Sequence, residues 1–234
     1  MSFDSDLNPV LKNASDVDLL PIRDCLLKKF SNFIDCDERF HNNPDRPTLY
    51  ADLIADEIRL FGGNTFANFF RGGEGVSYRE VVCDVADLLH VSFDENASVE
   101  EIETAILAKV FEEMLVEEKE KIIKELGLTG VPVGASATLV VQMVLKMGGF
   151  ATYKFAVIIA NTLSRFLIGR GLSLAANATL TKAVSVAIGP VGWGISGLWL
   201  ANDLAGPSYR TTVPCVLHIA ALRQKQKKML TPEK

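Results

Sequence analysis

Between Glu125 and Glu233 the chain carries a single acidic residue, Asp203, whereas the preceding stretch is crowded with them. Residues 1–126 hold 27 of the 29 acidic residues and 13 of the 24 basic ones, a balance of −14 against +9 for the remainder. A chain divided so sharply at Gly127 has two ways to satisfy its charge: the halves attract each other within one fold, or the basic half attracts an anionic partner or membrane. Both remain open at this point. The division also sets the expected organisation, with an acidic helical domain at 1–126 able to fold alone and a glycine-rich, weakly hydrophobic, basic helical region at 127–234.

Helical periodicity dominates the acidic half. Pro47 suits a first turn, and Leu49, Leu53, Ile54, Ile58 and Phe61 follow at helical spacing before Gly62-Gly63. Ser77 stands three residues before Glu80, and Ser98 three before Glu101, each the pattern of a capping box. The first predicts a helix through Val81, Val82, Val85, Leu88 and Leu89. The second predicts one running to Gly127 with Ile102, Ile106, Val110, Phe111, Met114, Leu115, Ile122 and Ile123 on its buried stripe. A further helix is expected over roughly 16–34, with Pro21 near its start. The fold class is therefore all-α, a helical N-terminal domain packed with or linked to a helical C-terminal region.

The loop FGGNTFANFFRGGEGVSY is rich in glycine, yet it lacks the G-K-[ST] of a phosphate-binding loop and any preceding strand. Gly72, Gly73 and Gly75 are read instead as residues supplying positive φ between helices. No catalytic constellation emerges, since His41, His90 and His218 are far apart and neither H-E-x-x-H nor G-x-S-x-G occurs. No cofactor or metal is called for. Nucleic acid is disfavoured as a partner because no zinc ligands or basic recognition helix accompany the basic residues. Cys25, Cys36, Cys83 and Cys215 form no C-x-x-C pair, and the N-terminus lacks a basic region followed by an apolar stretch; the expectation is reduced thiols in a cytoplasmic chain.

Ala183 to Asn202 is a twenty-residue run without charge, long enough to cross a bilayer as a helix. Its Val, Ile and Leu residues would contribute on the order of −3 kcal/mol to insertion, opposed by five glycines and prolines within it. Insertion is near balance, the behaviour of a buried hairpin or a conditionally inserting one. Gly130 with Gly134, and Gly197, Ala201 and Ala205, fall four apart and would line a helix face for close packing. Trp193 and Trp199 are candidate anchors. Further on, Val213, Val216, Leu217, Ala220 and Ala221 give a helical face ending in Arg223, Lys225, Lys227 and Lys228. That cluster either complements a helix C-terminus or docks on anionic lipid, at about 1 kcal/mol per basic residue.

Two stretches resemble an uncharacterised bacterial family known as YaaW-like: FGGNTFANFFRGGEGVSYREVVCDVADLL, and GPVGWGISGL followed by AGPSYRTTVPCVLHIAALR. Through its first domain that family is grouped with the ubiquinol-cytochrome c chaperone proteins, which implies a helical domain over roughly 45–125. The resemblance singles out Tyr209, Arg210 and Pro214 as binding positions and carries over no catalytic residue. The expected functions are accordingly non-enzymatic: a protein acting by partner or peripheral membrane binding, such as an assembly factor or chaperone at the inner membrane, or alternatively a conditionally inserting pore-forming effector. A protein partner, an anionic membrane surface and self-association are all compatible with the pattern.

Overall fold

The computed structural model describes residues 3–27, 33–62, 75–132, 134–147, 149–168 and 209–230, and the side chains of these except at positions 164–168, 209, 210, 228 and 230. The described residues form ten α-helices and two short 3-10 turns, without a strand. In chain order the helices are α1 Asn8–Lys12, α2 Asp16–Leu27, α3 Glu38–Asn42, α4 Ala51–Gly62, α5 Tyr78–Leu88, α6 Val99–Glu112, α7 Val116–Glu125, α8 Ala137–Met147, α9 Gly149–Ile168 and α10 Tyr209–Leu230. The 3-10 turns are Ile34–Cys36 and Pro47–Tyr50. The fold is all-α, as the periodicity requires.

Local chemistry explains most of the helix starts. Ser98 accepts from the Glu101 backbone amide while Glu101 accepts from that of Ser98, a complete capping box at the head of α6. At α5 the Ser77 hydroxyl accepts from the Glu80 amide at 3.2 Å. One long helix to Gly127 is not what forms, however. The run breaks at Glu113–Leu115, where Leu115 is extended, and α7 starts afresh. Glu112 and Glu113 sit at the end of α6, where the helix dipole disfavours carboxylates, and Lys119 of α7 reaches back to the Glu112 carbonyl. The break turns Met114 into the core.

Helix α2 likewise ends, among the described residues, at Leu27, with Pro21 buried inside it. Leu49 is exposed; its neighbour Tyr50 is the buried one, donating to the Pro44 carbonyl at 2.7 Å and packing edge-on against Phe40. The glycine roles also differ from expectation. Gly75 has no positive φ; a Cβ there would lie 2.7–2.8 Å from the backbone of Arg59 and Leu60, so glycine is needed for close approach to α4. Gly72 and Gly73 lie outside the described residues. Gly130 and Gly134 do not line a helix face. Together with Gly127 they take positive φ, between +68° and +80°, in the connection from α7 to α8, a conformation that only glycine adopts freely.

The core is continuous across Gly127. One hydrophobic cluster includes Leu19, Ile54, Val85 and Ile106 from the acidic half with Val140, Ile159, Val216 and Ile219 from the basic half. Its centre is α10, which packs on α9 and also touches α1, α2, α4, α5 and α6. Residues 211–222 are buried on every side, Pro214 included. The expected face of Val213, Val216, Leu217, Ala220 and Ala221 is thus part of a helix enclosed all round, which is the pattern of a central element. Among the described residues no helix is long and apolar enough to cross a membrane. The uncharged run Ala183 to Asn202, and the small-residue set Gly197, Ala201 and Ala205 that overlaps it, lie outside them.

Candidate docking surface

The basic residues expected to face a partner sit at the far end of α10, among the acids of the first half. Arg223 Nε donates to Glu103 Oε2 at 2.8 Å, and its Nη2 reaches Glu103 Oε1 at 3.2 Å and the Asp6 carbonyl at 2.8 Å. Lys225 Nζ meets both carboxylate oxygens of Asp18 at 2.7 Å. Lys227 Nζ lies 2.6 Å from Glu100 Oε1. Between them Gln224 donates to Glu100 Oε1 and Gln226 to the Val10 carbonyl. Three of the cations read as membrane candidates are therefore engaged inside the molecule, although Lys227, at 59 % side-chain exposure, still faces water.

The Arg223 pair is the most deeply set. Glu103 is 1 % exposed and also accepts from Tyr78 Oη at 2.8 Å. Burial raises its carboxyl above the usual range, and Arg223 and Tyr78 pull it partly back. On Arg223 the pairing outweighs its own burial, so its pKa rises and it stays charged. Tyr78 is pushed well up, first by burial and then by the Glu103 charge. A second cluster adjoins it: Asp4 accepts the Tyr78 backbone amide at 2.8 Å, with Arg59 Nε at 4.0 Å, and Arg59 Nε donates to the Val76 carbonyl at 2.7 Å. Sequence patterning missed Glu57, Arg59 and Glu103 as buried residues, because charged positions on a helix read as its outer face. Tyr209 and Arg210 form the first turn of α10, but their side chains, like that of Lys228, lie outside the described residues, as do Trp193 and Trp199 entirely.

Among the described residues, several of the exposed large apolar side chains lie on α8 and at the start of α9. Ala137, Val140, Val141 and Val144 face the core, while Leu139 and Lys146 lie on the outer face, Leu145 and Met147 stand exposed at its two edges, and Phe150 follows at the start of α9. These four apolar side chains are 40–50 % exposed. Ser136 caps the helix by accepting from the Leu139 amide. Just before it, the connection with its three positive-φ glycines and the outer side of α7 enclose a cleft of about 520 Å³, lined by Val116, Ile123, Leu128, Val131 and Pro132 and rimmed by Lys119, Glu120 and Lys124. Nothing in the sequence had singled this surface out, although Leu139 to Phe150 lies in a stretch without a single acid.

Among the described residues no group of three or more His, Cys, Asp or Glu could hold a metal ion. His218 is buried in α10, and burial lowers its pKa to about 4.

No family model matches the chain, and no solved structure matches it. A UPF0174 protein of Helicobacter pylori strain J99 is 38 % identical over 95 % of this chain and 92 % of its own length. A further UPF0174 protein of that strain is 39 % identical over 76 % of the chain and 90 % of its own. The UPF0174 protein YaaW of Escherichia coli K12 is 27 % identical over 78 % and 74 %.

Proposed function

The chain belongs to the UPF0174 family, whose members include YaaW, and we propose that it acts without catalysis, as a binding protein that docks peripherally on an anionic membrane surface through α8. The observation that carries this reading is the exposed set Leu139, Leu145 and Met147 with Lys146 on α8 and Phe150 at the start of α9, with one face of α8 bound in the core. Withdrawing such surface from water contributes roughly 25 cal/mol per Å² before the costs of association. Basic residues at a headgroup surface add about 1 kcal/mol each, and Lys146 is exposed within the set. Partly embedded apolar side chains beside lysine are the ordinary composition of an interfacial helix.

An assembly factor or chaperone would use the same surface to hold a client at the bilayer, a reading that rests on the grouping of the YaaW-like family with the ubiquinol-cytochrome c chaperone proteins. The uncharged run Ala183 to Asn202 supports the second reading, conditional insertion as a pore-forming effector. Co-sedimentation with phosphatidylglycerol-containing vesicles separates these. Peripheral docking predicts binding that high salt weakens, that L145E/M147E abolishes and that K227Q leaves unchanged. Retention through a carbonate wash would favour insertion. Absence of binding at low salt would remove both membrane readings and leave a soluble protein partner for the α8 patch.

A further inference from the structure

The cleft between α7 and the connection that leads to α8 has a composition that restricts what it can hold. Its volume of about 520 Å³ falls within the roughly 300–1,000 Å³ of small-ligand pockets. Its walls are aliphatic: among the described residues that line it none is aromatic, and Thr129 alone has an uncharged polar side chain. A base, a sugar or a peptide would leave most of its polar groups facing hydrocarbon there, at a desolvation cost without return. An aliphatic chain has no such groups.

The rim carries the charge that the walls lack. Lys119 and Lys124 against Glu120 leave it a net charge of +1. Lys119 donates to the Glu112 carbonyl, a neutral acceptor that does not cancel its charge, and Lys124 is exposed. Val116, at the start of α7, lines the cleft at 52 % exposure, an apolar side chain that the core of the chain does not cover. Gly127 and Gly134 border the same space, and a Cβ at either would meet nothing within 4 Å. Their positive φ and not crowding calls for glycine, so the space beside them stays open.

We propose that this cleft binds one monomeric long-chain fatty acid, with the acyl chain along Val116, Ile123, Leu128 and Val131 and the carboxylate at the rim beside Lys119 and Lys124. Burial of methylenes supplies the affinity, and the positive rim selects an anionic head over a neutral or cationic one. The inference does not rest on the docking role of α8, because the ligand is a single molecule in solution and the cleft is formed by other residues.

Titration calorimetry of the whole chain with laurate, below the concentration at which laurate forms micelles, should show saturable binding of one molecule per chain. Each methylene removed, in decanoate and octanoate, should weaken binding by about two- to fourfold. Dodecanol, which has the same chain without the charge, should bind more weakly than laurate. V116E/K124E changes two exposed residues and should weaken laurate binding by about tenfold or more, with a thermal melt to check the fold. A photoactivatable diazirine fatty acid decides the location on the unsubstituted chain: label within residues 116–135 supports the cleft, and label confined to 139–150 overturns it in favour of the α8 surface. Absence of saturable laurate binding, equal binding of dodecanol, or undiminished binding by a folded V116E/K124E would likewise overturn the proposal. No vesicles are present in these titrations, so their failure leaves the α8 reading standing, and failure of vesicle docking leaves this one standing.

Discussion

Replacing Arg223 with methionine keeps most of the aliphatic bulk of the side chain and removes its charge. Glu103 would then be a carboxylate at 1 % exposure with only the Tyr78 hydroxyl to stabilise it. Breaking a buried pair from one side costs about 3–5 kcal/mol, and the lower figure applies here because the Arg223 side chain is 17 % exposed. A loss of about 3 kcal/mol should lower the melting midpoint by about 6–12 °C in a chain of this length. The deficit has a pH signature. Glu103's folded pKa already lies above its ordinary 4.5, and loss of Arg223 raises it further, so protonation favours the folded form. The R223M deficit should therefore be largest at neutral pH and shrink as the pH falls through that raised pKa.

E103Q retains an acceptor for Tyr78, so R223M/E103Q should recover a large part of the loss, with a coupling energy of about 2 kcal/mol in a double-mutant cycle. Thermal melts followed by circular dichroism at pH 5 and pH 7 supply all four corners. An unchanged midpoint in R223M, or a double variant no more stable than R223M alone, would refute the pairing as a source of stability. Weaker vesicle binding at an unchanged midpoint would return Arg223 to the lipid surface.

Other substitutions test separate parts of the fold. His218 stays neutral in the folded chain to about pH 4, while the unfolded chain takes its proton near 6.5. Stability should therefore fall as the pH drops through that window, by up to about 3 kcal/mol, and H218M should flatten the dependence measured by urea titration. Glu118 Oε2 is buried without a hydrogen-bond partner, and burial raises its carboxyl, so E118Q should stabilise the chain by about 1 kcal/mol at neutral pH and by less under acid conditions. G75A must force the segment at 75–76 away from Arg59 and should cost about 1–3 kcal/mol by chemical denaturation. A chain ended at Gly127 lacks α8, α9 and α10, and without the central helix it should melt non-cooperatively; a sharp two-state transition would show that the acidic half owns a sufficient core.

The helices of the first half were legible because their signals are local. A serine three residues before a glutamate, followed by apolar residues at helical spacing, specifies α5 and α6 with no tertiary information. The break after Glu112 was not legible, since it depends on Lys119 folding back and on Met114 finding the core. Gly130 and Gly134 show the same limit from the other side: a spacing of four is shared by a packing face and by two unrelated turns, and only the backbone distinguishes them. The α8 surface was hidden for a different reason. Its residues are as apolar as any core helix, and exposure is a property of what fails to cover them.

The opening asymmetry of charge can now be given a structural cause at one place. Helix α10 is enclosed by α1, α2, α4, α5, α6 and α9, and where its last turns emerge they meet Asp18, Glu100 and Glu103. An acid at 223, 225 or 227 would face one of those carboxylates at close range, so the acid-free character of this part of the chain follows from where α10 ends. The same reasoning does not reach α8, where Lys146 is exposed and no acid occurs within the helix. At that surface no ion pair among the described residues accounts for the absence of acid, and the anionic surface proposed above is the partner that the vesicle assay tests.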